Sequence, residues 1–371
     1  DQDYVKIILN NPTDQPINPR MFGNVMQDSS TFEVKTSYST NTGGNMTVIV
    51  GDWAYTTYPN TNVIGALNLI TSGITYITDP SSGPENLVYA NNKIFISHQD
   101  LGSGNEITVI DVNTSSATFN QVLSTISAAG SIATMGPGIL SGNNIYFAAF
   151  RGLSQVGANV IDTLLLSDLG FILTDGSAAS VCVSPTPIAD STLIAVSFPF
   201  GTDVAFIETD PDEVGYNTVV QTVSIPTAVE TGVSIVMNNQ LFIVDSGSLS
   251  MQVVDIATFT TLTPIVIGYN TTYLNTNGTL IFASSGTNTI AVIDPSSRSL
   301  LQTITLNTGA TTQLIYPGVG VMYVEDTTAK TLRVINVSYS GTSLSEIATI
   351  NIGATLSDVT NVNPAYLPVV G

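Results

Sequence analysis

The chain is short of the residues that most chemistry needs. Its 371 residues include one cysteine, one histidine and one tryptophan, and 8 lysines and arginines against 28 aspartates and glutamates. A single cysteine, Cys182, excludes an internal disulfide framework and a cysteine-rich zinc site. Its setting, Ser180-Val-Cys-Val-Ser184, reads as a strand with a small buried thiol, and no His or Lys lies near it in sequence to lower its pKa. One histidine and no supporting motif leave a nucleophilic mechanism without a base. A formal charge of −20 with no basic cluster repels phosphate backbones, which excludes nucleic-acid binding. No run approaches the ~18 uninterrupted apolar residues of a membrane helix, so no membrane span is expected. The chain opens at Asp1 without a leader, and the expectation is a mature, processed N-terminus.

What is present is apolar and repetitive. Hydrophobic residues make up 43% of the chain, enough for a large core, and polarity is carried by Thr, Ser and Asn, since only 10% of residues are charged. One pattern recurs: a Gly/Asn turn, a short apolar strand, a loop, a second strand ending in Asp or Asn, then a Thr/Ser-rich strand. The clearest copy runs from Asn277 through Leu280-Ile-Phe-Ala to Asn288-Thr-Ile-Ala-Val-Ile-Asp294 and Leu300-Leu-Gln-Thr-Ile-Thr-Leu306. Period-two alternation and β-branched enrichment make these strands. With the four strands of each unit lettered A to D, strand B starts near Met46, Ile94, Ile145, Leu193, Leu241, Leu280 and Val321, which gives seven copies. The expected fold is therefore an all-β propeller of four-stranded blades, forming a single domain over residues 1–371.

The chain ends supply an eighth unit. Residues 353–370 align with Gly309–Val324 as strands A and B, Tyr4–Leu9 resembles strand C, and Ile17–Val25 offers D. A blade assembled from both ends closes the ring and removes an edge, so eight blades are preferred over seven.

The segment Asn288–Leu306 resembles the YVTN-type β-propeller repeat of archaeal surface-layer and related bacterial secreted proteins. Val321-Met-Tyr-Val-Glu-Asp326 and Leu241-Phe-Ile-Val-Asp245 are similar to its strand B signature. The resemblance implies a propeller at a cell or virion surface and specifies fold far better than activity.

Residues for function gather in loops. Asp52–Asn60, read as the B–C loop of unit one, carries Trp53, Tyr55 and Tyr58; the equivalent loops of units two to four carry His98, then Arg151, then Phe198 and Phe200. Amphipathic rings with an Arg and a His on one face suit sugar stacking or a protein contact, and the same rings also serve to cover blade ends. In Glu208-Thr-Asp-Pro-Asp-Glu-Val-Gly215 the carboxylates of Glu208, Asp210, Asp212 and Glu213 resemble the start of a Ca2+ cage, set against a solvated acidic turn. Asp111, Asp255 and Asp294, each closing strand C, are expected to make Asx-turns. Sequons stand at Asn45, Asn113, Asn270, Asn277 and Asn336 as glycosylation candidates.

These features point to an extracellular, non-enzymatic subunit or adhesin whose partners are proteins, glycans or copies of itself in a lattice or filament. The alternative is a hydrolase or lactonase with its site in the central channel. With so few bases, most carboxylates cannot be salt-bridged, so acid is expected to cost the fold little.

Overall fold

In a computed structural model the described residues are 2–6, 36–40 and most of 47–351. They form thirty strands and one short 3-10 turn at Pro59–Thr61. Twenty-eight of the strands make seven four-stranded antiparallel sheets, each ordered A-B-C-D along the chain, and the other two make a two-stranded sheet. By internal contacts the chain divides into two units, Asp1–Thr42 with Ile265–Tyr366, and Gly43–Pro264 with Leu367–Gly371. The larger unit holds sheets one to five, and the other holds sheets six and seven and the two-stranded sheet.

The strand B positions agree with the sequence in six sheets and differ in the first. There Thr47–Val50 is strand A and Trp53–Tyr58 is strand B, so the segment expected to be a B–C loop is itself a strand. Gly51, at φ 60°, makes the tight A–B turn that the sequence reading had passed over. Elsewhere the expected Asn turns are present: Asn91-Asn92 and Asn238-Asn239 each carry two consecutive positive φ values, the signature of a type I′ hairpin.

Only part of the expected eighth blade falls within the described residues. Gln2–Lys6 pairs antiparallel with Thr36–Thr40, a segment the sequence reading had not included in that blade. Ile17–Val25, Ala365–Val370 and Cys182 lie outside the described residues.

The core lies between sheets. Strand B of sheet two (Lys93–His98) shows why these strands are apolar on both faces: Ile94 and Ile96 enter a cluster with Tyr55, Ile64 and Ile77 of sheet one, while Phe95 enters one with Met135, Ile145 and Phe147 of sheet three. A period of two with both faces buried produces an unbroken apolar run. Within sheet three, two glycines relieve crowding between paired strands. A Cβ on Gly138 would lie 2.5 Å from Phe147 Cδ1, and one on Gly157, in strand C of sheet three (Gln155–Asp162), would overlap the Ile172 carbonyl oxygen of strand D.

Polar bonds stitch consecutive sheets at both ends of the strands. Bulges in strand A free backbone carbonyls from the ladder, and hydroxyls of the preceding strand B capture them: Thr57 Oγ1 donates to Glu85 O at 2.9 Å and Ser97 Oγ to Gly136 O at 3.1 Å. At the C–D hairpins, one residue in the left-handed region faces the preceding sheet. Asn120 accepts the Tyr55 hydroxyl at 2.8 Å, and Asn217 accepts the Tyr146 hydroxyl at 2.6 Å. Phe259 meets Phe206 edge-on at 5.0 Å, and Leu166 packs into the cluster that contains Phe95.

Those hairpins come in two lengths. In sheets two and four the bonds Asn120 N–H to Asp111 O, and Asn217 N–H to Glu208 O, close a longer loop, at 2.8 and 2.9 Å. In sheets three and five the left-handed residue comes only four positions after the strand-closing Asp, as Asp162 to Leu166 and Asp255 to Phe259. The longer loops deliver an amide to a tyrosine, and the shorter ones deliver an apolar side chain.

Candidate functional site

The two ends of the strands carry different chemistry. At the end of strand B the last residues of sheets one, two, three and five are Tyr58, His98, Arg151 and Asp245. All four close strand B, where the sequence reading had put Tyr58, His98 and Arg151 in B–C loops; counted from the A–B turns, Tyr58, His98 and Asp245 are in register and Arg151 stands two positions further along. Trp53 begins strand B of sheet one and lies at the opposite end, where it meets Phe119 edge-on at 5.1 Å and stacks on Tyr55 at 6.5 Å. Phe198 and Phe200 lie outside the described residues. The expected exposed aromatic face is corrected further by burial, because Tyr55, Tyr58 and His98 are all within 1% of full burial. Tyr55 and Tyr58 fill space between strands, and burial followed by the nearby Asp111 charge pushes the Tyr55 hydroxyl far above its ordinary range. Arg151 is half-buried, with its guanidinium 5.7 Å from the centroid of the Phe171 ring.

His98 is the centre of a closed polar cluster. Its Nδ1 lies 2.8 Å from the Glu106 carbonyl oxygen, which can only accept, so Nδ1 carries a proton. Its Nε2 lies 3.1 Å from Asp79 Oδ2, and the other Asp79 oxygen accepts Thr108 Oγ1 at 2.7 Å and the Ser81 N–H at 3.0 Å. Ser81 Oγ in turn donates to the Glu106 carboxylate. The cluster holds the D–A connection of sheet one onto sheet two, and its polar groups are spent on one another. Asp245 holds the His98 position in sheet five with different partners, buried and accepting from Gln252 Nε2 at 2.9 Å and from Ser248 of the same sheet.

The hairpin end carries a second set of acidic residues. Asp111 and Asp294 make the expected Asx-turns, accepting the N–H groups of Asn113 and Ser296 at 2.9 and 2.8 Å, and Asp162 makes another with Leu164 that the sequence reading did not single out; Asp255 instead accepts the N–H of Thr258, three residues on, at 2.9 Å. The four carboxylates offered as a Ca2+ cage do not converge. Glu208 is buried and accepts the N–H groups of Thr209 and Asp210, both at 2.9 Å, and Asp210 accepts that of Asp212, also at 2.9 Å. Asp212 and Glu213 are exposed. Among the described residues no group of three or more carboxylate, imidazole or thiol side chains is close enough to hold a metal ion.

Of the sequons, Asn113 and Asn270 are exposed. Asn277 is buried and its Oδ1 accepts the N–H groups of Thr279 and Leu280 at 2.9 and 2.7 Å, so the turn consumes the side chain a glycan would need. Asn45 and the Asn336 side chain lie outside the described residues.

The hairpins also revise the expectation about acid. Burial raises the Asp111 carboxyl, but Ser116, Thr118, the Asn113 N–H and Lys93 together outweigh it and hold the group below its ordinary value. Asp294 is lowered chiefly by the Ser297 hydroxyl, against burial and with the N–H groups of Ser296 and Ser297. Hydroxyls and backbone N–H groups here do the work of the missing bases. A carboxyl lowered in the folded state contributes stability above the ordinary aspartate range near pH ~4, and that contribution is lost as pH falls through the lowered value. Melting temperature should therefore drop between pH ~7 and pH ~3, and the drop should shrink in an Asp111→Asn, Asp294→Asn double variant, whose amides keep the turn acceptors. An equal drop in the double variant would mean that these two groups are not the source.

No protein-family model matches the chain, and no curated protein matches it in sequence. Solved structures match its fold. The computationally designed Ika8 protein is 14% identical, with a TM-score of 0.64 over 84% of this chain and 88% of its own. Dihydro-heme d1 dehydrogenase NirN is 9% identical, with a TM-score of 0.66 over 86% and 68%. BamB from Moraxella catarrhalis is 12% identical, with a TM-score of 0.60 over 82% and 87%. At these identities the likeness concerns fold alone. Four-stranded antiparallel sheets repeated in series and these neighbours together identify the fold as a β-propeller.

Proposed function

We propose that the chain is a non-enzymatic, extracellular propeller that works by assembly or recognition at a cell or virion surface, as the repeat it resembles suggests. One observation carries this reading. At the C–D hairpins of sheets three and four, Leu164, Leu165 and Val214 are exposed, Val214 at 96% and Leu165 at 76%, where the hairpin of sheet two carries Asn113, Thr114 and Ser115. Aliphatic tips on neighbouring sheets of a protein otherwise clothed in Thr, Ser and Asn are a contact surface in waiting. By contrast, His98, Asp79 and Asp245, the groups best suited to acid–base work, are buried and committed to internal hydrogen bonds.

The purified chain is expected to form higher-order species at micromolar concentration, seen by light scattering and electron microscopy. A Leu164→Ser, Leu165→Ser, Val214→Ser variant should lose most of them. A monomeric chain that turns over a lactone or glycoside would replace this reading with the hydrolase alternative.

A further inference from the structure

A sheet's last strand leaves one row of backbone N–H and C=O groups unpaired, and stable proteins blunt such edges with bulges, proline or charge. Strand D of sheet two (Val122–Ser127) skips Leu123 in its register, that of sheet three (Ser167–Leu173) skips Leu169, and that of sheet four (Val219–Ser224) skips Val220. Sheets six and seven do the same at Leu301 and Ile347. Strand D of sheet five (Thr260–Val266) contains Pro264. Strand D of sheet one, Ile74–Thr78, has none of these devices: its five residues pair in unbroken register with Val63–Leu67, and Ile-Thr-Tyr-Ile-Thr contains neither proline nor charge.

The direction of its backbone groups follows from the two ends of that ladder. Asp79 N–H donates to Asn62 O at 2.9 Å, and Asn68 N–H to Gly73 O at 2.8 Å. Hydrogen-bonded and non-bonded pairs alternate in an antiparallel ladder, so Gly73, Thr75, Ile77 and Asp79 face inward. Ile74, Tyr76 and Thr78 then turn their N–H and C=O groups outward, an odd-numbered row with Tyr76 at its centre. The Tyr76 side chain is held in place: it sits across from Gly65, where a Cβ would lie 3.5 Å from its Cε1, and meets Tyr58 edge-on at 6.3 Å. It remains 41% exposed, and Ile70, in the adjoining hairpin, is 69% exposed.

We propose that this edge joins a second copy of the chain, the two strands running antiparallel about a two-fold axis at Tyr76. Tyr76 would exchange both backbone bonds with Tyr76 of the second copy, and Ile74 would do so with Thr78 on either side. The inference rests on the assembly reading and names its first contact. Charge selects the occupant. Two copies each of formal charge −20 repel wherever carboxylates meet, yet from Thr47 to Thr78 the only charged residue is Asp52, so like copies can approach at sheet one at low electrostatic cost. A cationic partner would gain nothing from so neutral an edge. The row is also self-complementary, as an isologous contact requires, and it sets one aromatic ring opposite another.

Sedimentation velocity over a concentration series tests this. Wild type should show a monomer–dimer equilibrium that tightens as salt screens the repulsion; a cationic partner's binding would loosen. Tyr76→Lys places like charges opposite one another and should weaken dimerisation at least about 100-fold, on the scale where 1.4 kcal/mol is tenfold. Thr78→Pro removes one outward N–H and leaves the inward ladder intact, so it should weaken the dimer as well. Thr125→Lys, on the bulged edge of sheet two, should leave it unchanged. Dimerisation that survives both Tyr76→Lys and Thr78→Pro, or that Thr125→Lys weakens equally, overturns the edge pairing. If larger assemblies then persist and are lost only with the serine variant of Leu164, Leu165 and Val214, the assembly reading stands without it. A chain monomeric at every concentration and salt overturns the proposal outright.

Discussion

Replacing His98 with alanine is expected to cost about 1–3 kcal/mol, the range for leaving buried hydrogen-bonding groups without their partner. The argument turns on what is left behind. Asp79 would remain buried with the Thr108 hydroxyl and the Ser81 N–H still donating to one oxygen, while its other oxygen and the Glu106 carbonyl each lose the imidazole. Two surviving donors place the loss toward the lower end of the range. An Asp79→Asn substitution added to His98→Ala replaces the stranded carboxyl with an amide and should recover part of the loss, which a double-mutant cycle in urea would show. A single-variant loss under about 1 kcal/mol would mean that the pair is exchangeable for water.

Gly157→Ala should be of similar size, although its first-order effect runs the other way. Exchanging Gly for Ala ordinarily stabilises by ~0.4–1 kcal/mol through the unfolded chain. Here the new Cβ overlaps the Ile172 carbonyl oxygen, which is backbone, and lies 2.7 Å from Phe171 Cζ. A side-chain tip would swing aside, but a strand D carbonyl moves only with its strand. The steric cost, about 1–3 kcal/mol or more for overpacking, therefore wins. Exchange protection along Ser167–Leu173 should fall more than elsewhere. Gly138→Ala meets only the Phe147 and Ile145 side chains, so it should cost less. Equal and small effects at both positions would contradict this ranking.

The strands were legible in the sequence because they are buried on both faces by one rule repeated seven times, and the Asx-turns at Asp111 and Asp294 because an Asx-turn is local. Sheet one was misread because Trp53-Ala-Tyr-Thr-Thr-Tyr58 lacks the aliphatic run that marks the other B strands, and its rings were assigned to a loop. The bonds from Tyr55 to Asn120 and from Tyr146 to Asn217 span 65 and 71 residues, and that reach is set by the stacking of sheets rather than by any motif. The same holds for His98 and Asp79, since an aspartate in a connection announces no histidine. The bulges of strand D were invisible for another reason: register is a relation between two strands, and composition describes one. The acid argument counted only bases as partners for carboxylates, and so passed over the hydroxyls and backbone N–H groups that hold Asp111 and Asp294.

The two hairpin lengths make neighbouring repeats unequal. Sheets one and three each present a tyrosine hydroxyl, and sheets two and four each answer it with an asparagine on a longer loop. Sheet five answers sheet four with Phe259 against Phe206. Across sheets one to four the period is thus two sheets, not one. Loss or duplication of a single repeat in this stretch would throw the chain out of phase and set a phenyl or leucine side chain against a buried hydroxyl, leaving it unsatisfied. Loss or duplication of a pair would keep every partner matched. Among natural variants of this chain, changes in length between Thr47 and Ser224 should accordingly come as paired repeats, and chimeras that exchange the hairpins of sheets two and four should fold where exchanges with sheet five do not.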